Sequence, residues 1–274
     1  TSSRRRWIHR TGRIDEAMED YRRALAINPT YMNANNNLGH ALAERGRPAE
    51  AIPPYRVAMK TQPTNLEVLN NLANALSDVN QLDEAMEHYE YVLARQPNHA
   101  NSLNGSAVVL AMKNRVPEAK ARLEHSLRVA PDNASAHNNL GNVCSMLGER
   151  DAAIRHYRRA TELNPQEAHA FFLIGTLLCQ QEKFAEAVES FQRAIVVRPE
   201  NPDALAQLGL AEIVVVGALD QVVGDRRVLR RRHQPCGVAG RAGVVGPVLD
   251  GQQRDGQLRR ALQAVGVGVV VGPL

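Results

Sequence analysis

Asparagine is the residue of this sequence whose type and spacing could do chemistry. Asn36, Asn70, Asn104 and Asn138 stand 34 residues apart; Asn37, Asn71 and Asn139 follow one place later, and Asn74 and Asn142 keep the interval, with His40 in the equivalent place. A carboxamide donates through Nδ2 and accepts through Oδ1, so a row of amides can pair with the N–H and C=O groups of an extended polypeptide. That is binding chemistry, drawing affinity from the ligand's backbone and asking little of its side chains. Asn is up to about 0.7 kcal/mol poorer than Ala inside a helix, so its repeated use mid-helix asks for a reason.

The other reactive residue types form no site. Cys144, Cys179 and Cys236 make no CxxC pair, and the nine histidines make no HExxH or other ligand spacing. Cys144 and Cys179 fall at inner helical positions and read as small apolar core residues. His88 and His156 recur at one place of the repeat and read as a solvated face. Neither a phosphate-binding glycine loop nor GxSxG occurs. No catalytic residue, metal site or cofactor is predicted, and the chain is read as a non-enzyme.

The elements that must position the amides follow from a second set of progressions. Pro29, Pro63, Pro97, Pro131, Pro165 and Pro199 are 34 apart, and Ala17, Ala51, Ala85, Ala119, Ala153 and Ala187 keep the same step. Four residues after each alanine comes a bulky apolar side chain: Tyr21, Tyr55, Tyr89, Leu123, Tyr157, Phe191. A fixed period of this size marks a repeat architecture. Within the unit 134–167 the apolar residues recur three to four apart in two stretches, the pattern of two amphipathic helices. Gly46 and Gly148 stand where a left-handed C-cap is wanted, Asp83 and Asp151 where the second helix needs an N-terminal acceptor, and the prolines stop the second helix. Gly39, Ala73, Ala107, Gly141, Gly175 and Gly209 are small where the two helices should approach. Pro53 and Pro54 fall inside a second helix, which is therefore expected to kink or to start late, near Pro53.

In this pattern the chain resembles the tetratricopeptide repeats, whose signature runs W-x2-L-G-x2-Y, then A-x3-F, then P. The match reads LG at Leu38 and Gly39, Leu140 and Gly141, and Leu208 and Gly209, with A-x3-Y at Ala51 to Tyr55 and Ala153 to Tyr157. The resemblance implies an all-α right-handed superhelical solenoid of helix-turn-helix units over residues 1–212. The expected boundaries are a partial repeat 1–31, full repeats 32–65, 66–99, 100–133, 134–167 and 168–201, and a partial repeat 202–212. It also implies that the first helices line a concave groove, which places the asparagines along it. NNLGN at Asn138 to Asn142 is similar to the repeat arrays of O-linked N-acetylglucosamine transferases. The family's clamp for chaperone C-termini uses Lys and Arg on first helices; here the matching places hold Asn36, Asn101 and Gly105, so that mode is disfavoured.

Residues 213–274 differ in kind. They hold nine Arg and four Asp with no Lys or Glu, so they supply +5 of a chain whose net charge is +4 and leave −1 for residues 1–212. A near-neutral array offers no basic stripe for nucleic acid. The segment also lacks Phe, Tyr, Trp, Met, Asn, Ser and Thr, a restricted alphabet that an out-of-frame reading of GC-rich DNA would produce. We expect a frameshifted or low-complexity, irregular Gly/Val/Arg tail there, its valine runs too short to span a bilayer. At the other end Gly12 holds the place of Gly46 and Gly148, so the first hairpin is expected to be incomplete, at a fragment edge.

The function expected from the sequence is a protein-interaction scaffold that holds an extended peptide or partner protein through Asn36, Asn37, His40, Asn70, Asn71, Asn74, Asn104, Asn138, Asn139 and Asn142. The alternatives are the substrate-recruiting part of a larger glycosyltransferase and a purely structural assembly scaffold. A protein or peptide partner, no nucleic acid, no membrane and a cytoplasmic location are expected, with the oligomeric state left open.

Overall fold

The computed structural model describes the backbone of residues 2–232 and the side chains of residues 13–217. The described residues form twelve α-helices and no strand. They are α1 (Ser2–Ile27), α2 (Met32–Glu44), α3 (Pro48–Thr61), α4 (Leu66–Asp78), α5 (Leu82–Arg95), α6 (Ala100–Met112), α7 (Val116–Val129), α8 (Ala134–Met146), α9 (Arg150–Leu163), α10 (Ala168–Gln180), α11 (Phe184–Val197) and α12 (Pro202–Arg232). The chain divides into two compact units between Ala153 and Ile154.

The turn within each hairpin is one motif repeated. Gly46 and Gly148 have φ of +71° and +75°, and Asn80, Asn114 and Glu182 take the same left-handed conformation at the same step of 34. After each, the next N–H donates five residues back: Arg47 to Leu42 O, Gln81 to Leu76 O, Arg115 to Leu110 O, Glu149 to Cys144 O and Lys183 to Leu178 O, at 2.8–3.0 Å. This is the Schellman closure, which satisfies carbonyls that a helix end would leave orphaned. Asp83 and Asp151 do not stand at the N-cap position of the following helices. They lie inside the first turns of α5 and α9, because the closing bond consumes Gln81 and Glu149 and makes those residues the start of the next helix. Asp83 instead pairs with Lys113.

Between hairpins, Pro63, Pro97, Pro131, Pro165 and Pro199 each stand two residues past the end of a second helix, as their missing N–H requires. Asn65, Asn133 and Asn201 then cap α4, α8 and α12 by accepting from backbone N–H groups at 3.1–3.2 Å. His99 does the same for α6 through Nδ1.

In the unit ending at Ala153, consecutive helices pack as antiparallel neighbours from α1 to α8. First helices also touch across repeats, α2 with α4, α4 with α6 and α6 with α8, while α3, α5 and α7 make no comparable contact with one another. The first helices therefore form the tighter, inner layer of the curve in this unit. Ala51, Ala85, Ala119 and Ala153 are fully buried, as are Leu123 and, within 2% exposure, Tyr55 and Tyr89. A Cβ on Gly39 would lie 2.7 Å from the Tyr55 ring, so the absent side chain is what admits the ring. In the second unit α10 packs on α11 and α11 on α12. Gly175 admits Phe191 as Gly39 admits Tyr55. Gly209 breaks the series: nothing lies within 4 Å of the Cβ it lacks.

Three expectations are corrected. Of the two outcomes expected at Pro53 and Pro54, a kink or a late start, the late start is overturned: α3 begins at Pro48 and runs through both prolines. Ala51, Ile52 and Tyr55 are buried across the prolines, and this packing holds the turn against the loss of two intrahelical bonds. α1 passes through Gly12 without a turn; one glycine costs a helix only about 1 kcal/mol, too little to break it. α12 continues past residue 212 to Arg232, with Ala211 and Val215 buried. The rest of the tail, residues 233–274 with Cys236, lies outside the described residues.

Candidate functional site

The asparagine series separate into two roles. Asn36 and Asn70 are buried, at 8% and 5% exposure, while Asn104 and Asn138 are half-buried. Asn36, Asn70 and Asn104 lie where one first helix meets the next. Asn71 Nδ2 donates to Asn36 Oδ1 at 3.2 Å, and Asn139 Nδ2 donates to Asn104 Oδ1 at 3.0 Å. Asn70 Oδ1 accepts from Ser102 Oγ at 2.8 Å. Asn36 Nδ2 and Asn104 Nδ2 reach Glu67 Oε1 and Ser135 Oγ, both at 3.5 Å. Asn138 Oδ1 is buried without a partner.

The outer members face the open side of the inner layer. Asn37, His40 and Asn74 are exposed, and Asn71, Asn139 and Asn142 are half-buried, as Asn104 and Asn138 are. Their amides are oriented from below. Tyr89, itself buried, sends its hydroxyl to Asn74 Oδ1 at 2.5 Å, which leaves Asn74 presenting Nδ2 as a donor. Asn71 and Asn139 spend an N–H on their neighbours and present Oδ1 as an acceptor. The surface thus offers both halves of a backbone hydrogen-bond pattern. Its row is interrupted at Gly105, where a Cβ would collide with the Tyr89 ring and hydroxyl.

Charge is partitioned between the layers. α2, α4, α6 and α8 contain no Lys or Arg, and their only acids are Glu44, Glu67 and Asp78. The cations lie on second helices and at helix ends, in pairs that bridge repeats: Arg56 with Glu84, Arg122 with Glu90, Lys120 with Glu149 and, at one place two repeats apart, Arg45 with Asp15 and Lys113 with Asp83.

The remaining polar groups are placed as core or support. Cys144 is buried at the turn position that Leu42, Leu76, Leu110 and Leu178 fill elsewhere, and burial pushes its thiol up to about 11. Cys179 is half-buried and shifted in the same direction for the same reason. His88 is not on a solvated face: it is half-buried, its Nε2 stands 3.9 Å from Glu84 Oε1, and burial lowers its pKa. Among the described residues no three His, Cys, Asp or Glu side chains are grouped to hold a metal, and no helix is long and apolar enough to cross a membrane.

Family models for the tetratricopeptide (TPR) repeat match residues 9–46, 42–103, 98–166, 145–204 and 172–214. Residues 9–214 are tetratricopeptide repeats.

This tetratricopeptide array matches no curated protein in sequence. Its fold is shared with solved structures of low identity. A chain of the APC/C hetero-tetramer Cut9-Hcn1 superposes with a TM-score of 0.68 at 19% identity, over 73% of this chain and 40% of that one. The thermophilic TPR protein TTC0263 of Thermus thermophilus gives 0.58 at 23% identity, over 66% and 99%. Pseudomonas aeruginosa pilF gives 0.59 at 22%, over 80% and 93%.

Proposed function

We propose that the chain is an interaction scaffold whose first-helix layer grips an extended peptide of a partner protein through backbone hydrogen bonds. A tetratricopeptide array supports protein interaction in general, and the Cut9-Hcn1 chain belongs to a hetero-tetramer. The observation that carries the finer reading is the oriented amide row. Asn71 and Asn139 offer acceptors, and Asn74 a donor, on one accessible face. In this reading Asn37, His40, Asn71, Asn74, Asn139 and Asn142 touch the ligand, while Asn36, Asn70, Asn104 and Asn138 hold the layer that presents them.

Titration of a labelled, uncharged extended peptide library by fluorescence anisotropy tests it. Asn71→Ala with Asn139→Ala is expected to weaken binding at least tenfold while the helical circular dichroism signal is kept. Unchanged binding in the folded double variant would favour a purely structural scaffold.

A further inference from the structure

The last exposed position of successive first helices forms a series of its own: Glu44, Asp78, Met112, Met146, each 34 after the one before. All four are exposed, Met112 at 50% and Met146 at 56%. The first two are carboxylates and the second two flexible apolar side chains of the adaptable kind found on binding surfaces. Among the described residues neither Glu44 nor Asp78 has a cationic partner, although Arg45, beside Glu44, is engaged by Asp15. Each acid is also the final residue of its helix, where the negative end of the helix dipole opposes it. Two unpaired acids at the same disfavoured place, followed by two solvated methionines at that place, are not explained by the stability of the repeats.

Resting on the peptide-groove reading, we propose that this rim selects a bipartite ligand: an extended peptide carrying Lys or Arg over α2 and α4 and large apolar side chains over α6 and α8. The amide row holds the backbone, and the rim reads the side chains that the amides ignore. Adjacent packed helices lie about 9 Å apart, so α4 to α8 is about 18 Å, which an extended chain covers in about five or six residues. The basic and apolar parts of the ligand are therefore separated by about that number. Attraction between the acids and the basic end weakens with salt, whereas the apolar end does not depend on charge.

Fluorescence anisotropy on the full chain tests the proposal with four labelled peptides. One carries two Lys, a six-residue Ser/Ala spacer and two Leu; one has this order reversed; one has Glu for Lys; one is Ser/Ala throughout. The better-binding Lys–Leu order is expected to exceed the Glu peptide at least tenfold at low salt. Glu44→Gln with Asp78→Asn should abolish that preference, leave the Ser/Ala peptide's binding unchanged and raise the thermal midpoint slightly, because the dipole conflict is relieved. Met112→Ser with Met146→Ser should lower affinity for the Leu-bearing peptides alone. Equal binding of Lys and Glu peptides, or a preference that survives loss of both acids, overturns the bipartite rim while the amide groove stands. Failure of every peptide, the uncharged one included, overturns the groove reading and this inference together.

Discussion

Glu182 holds a backbone conformation that suits it poorly. Its φ of +59° lies in the left-handed region, which costs a residue with a Cβ about 1–2 kcal/mol. Gly46 and Gly148 do the same job without that cost. Glu182→Gly is expected to raise stability by about 0.5–1 kcal/mol after the extra chain entropy of glycine is deducted, read as a higher urea midpoint with unchanged slope. The opposite sign is expected at Gly39, where a new methyl would stand 2.7 Å from a buried tyrosine ring. Gly39→Ala should cost about 1–3 kcal/mol; Gly209→Ala, with open space around it, should cost nothing and gain up to about 1 kcal/mol of helix propensity. Cys144 should resist alkylation at neutral pH in the native protein and react once the chain is denatured. Its buried thiol titrates only near 11, so almost none of it is thiolate at neutral pH.

Helices reveal a different balance between local and long-range terms. α3 keeps its length through Pro53 and Pro54 because its buried face is continuous across them, yet two backbone carbonyls in its first turns lose their helical donors. Hydrogen exchange is expected to find the amides of α3 less protected than those of α9, and equal protection would refute that account. Pro54→Ala should stabilise by about 1–3 kcal/mol. The other helix ends were legible from single residues: the proline series marks where second helices stop, and Gly46 and Gly148 mark where first helices turn. Asn80 and Asn114 suit the same turn, Asn being the side chain that most readily follows glycine there, whereas Glu182 was not legible as a turn residue. The left-handed conformation of Glu182 is imposed by a closure whose partners are fixed by the hairpin, not by its own preference.

At the scale of the whole molecule, stability is a sum of neighbour contacts, since each hairpin leaves an apolar face for the next. Leu72 is fully buried in α4, so Leu72→Ala should cost about 2–5 kcal/mol. The accompanying loss of exchange protection should be concentrated in α3 to α6 and small in α10 and α11. Uniform loss over the chain would show instead that the array unfolds as one cooperative block. The separation of charge belongs to this scale too: the net charge of +4 says nothing of binding, because the inner layer of the first unit holds acids and amides while the cations sit elsewhere.

The period, the helical class, the hairpin unit and the alanine and aromatic core were determined by the sequence alone, because each depends on residues within one turn or one repeat and is printed again every 34 positions. The same regularity identified the asparagines but could not divide them. Asn36 and Asn37 are adjacent in sequence and both recur. Only tertiary structure decided that Asn36 is buried and Asn37 exposed, because that depends on which side of α2 the next first helix covers, and it tied the two series together through hydrogen bonds between residues 35 apart. The same holds for the rim, where Glu44 and Met112 gain meaning only once successive first helices are placed side by side.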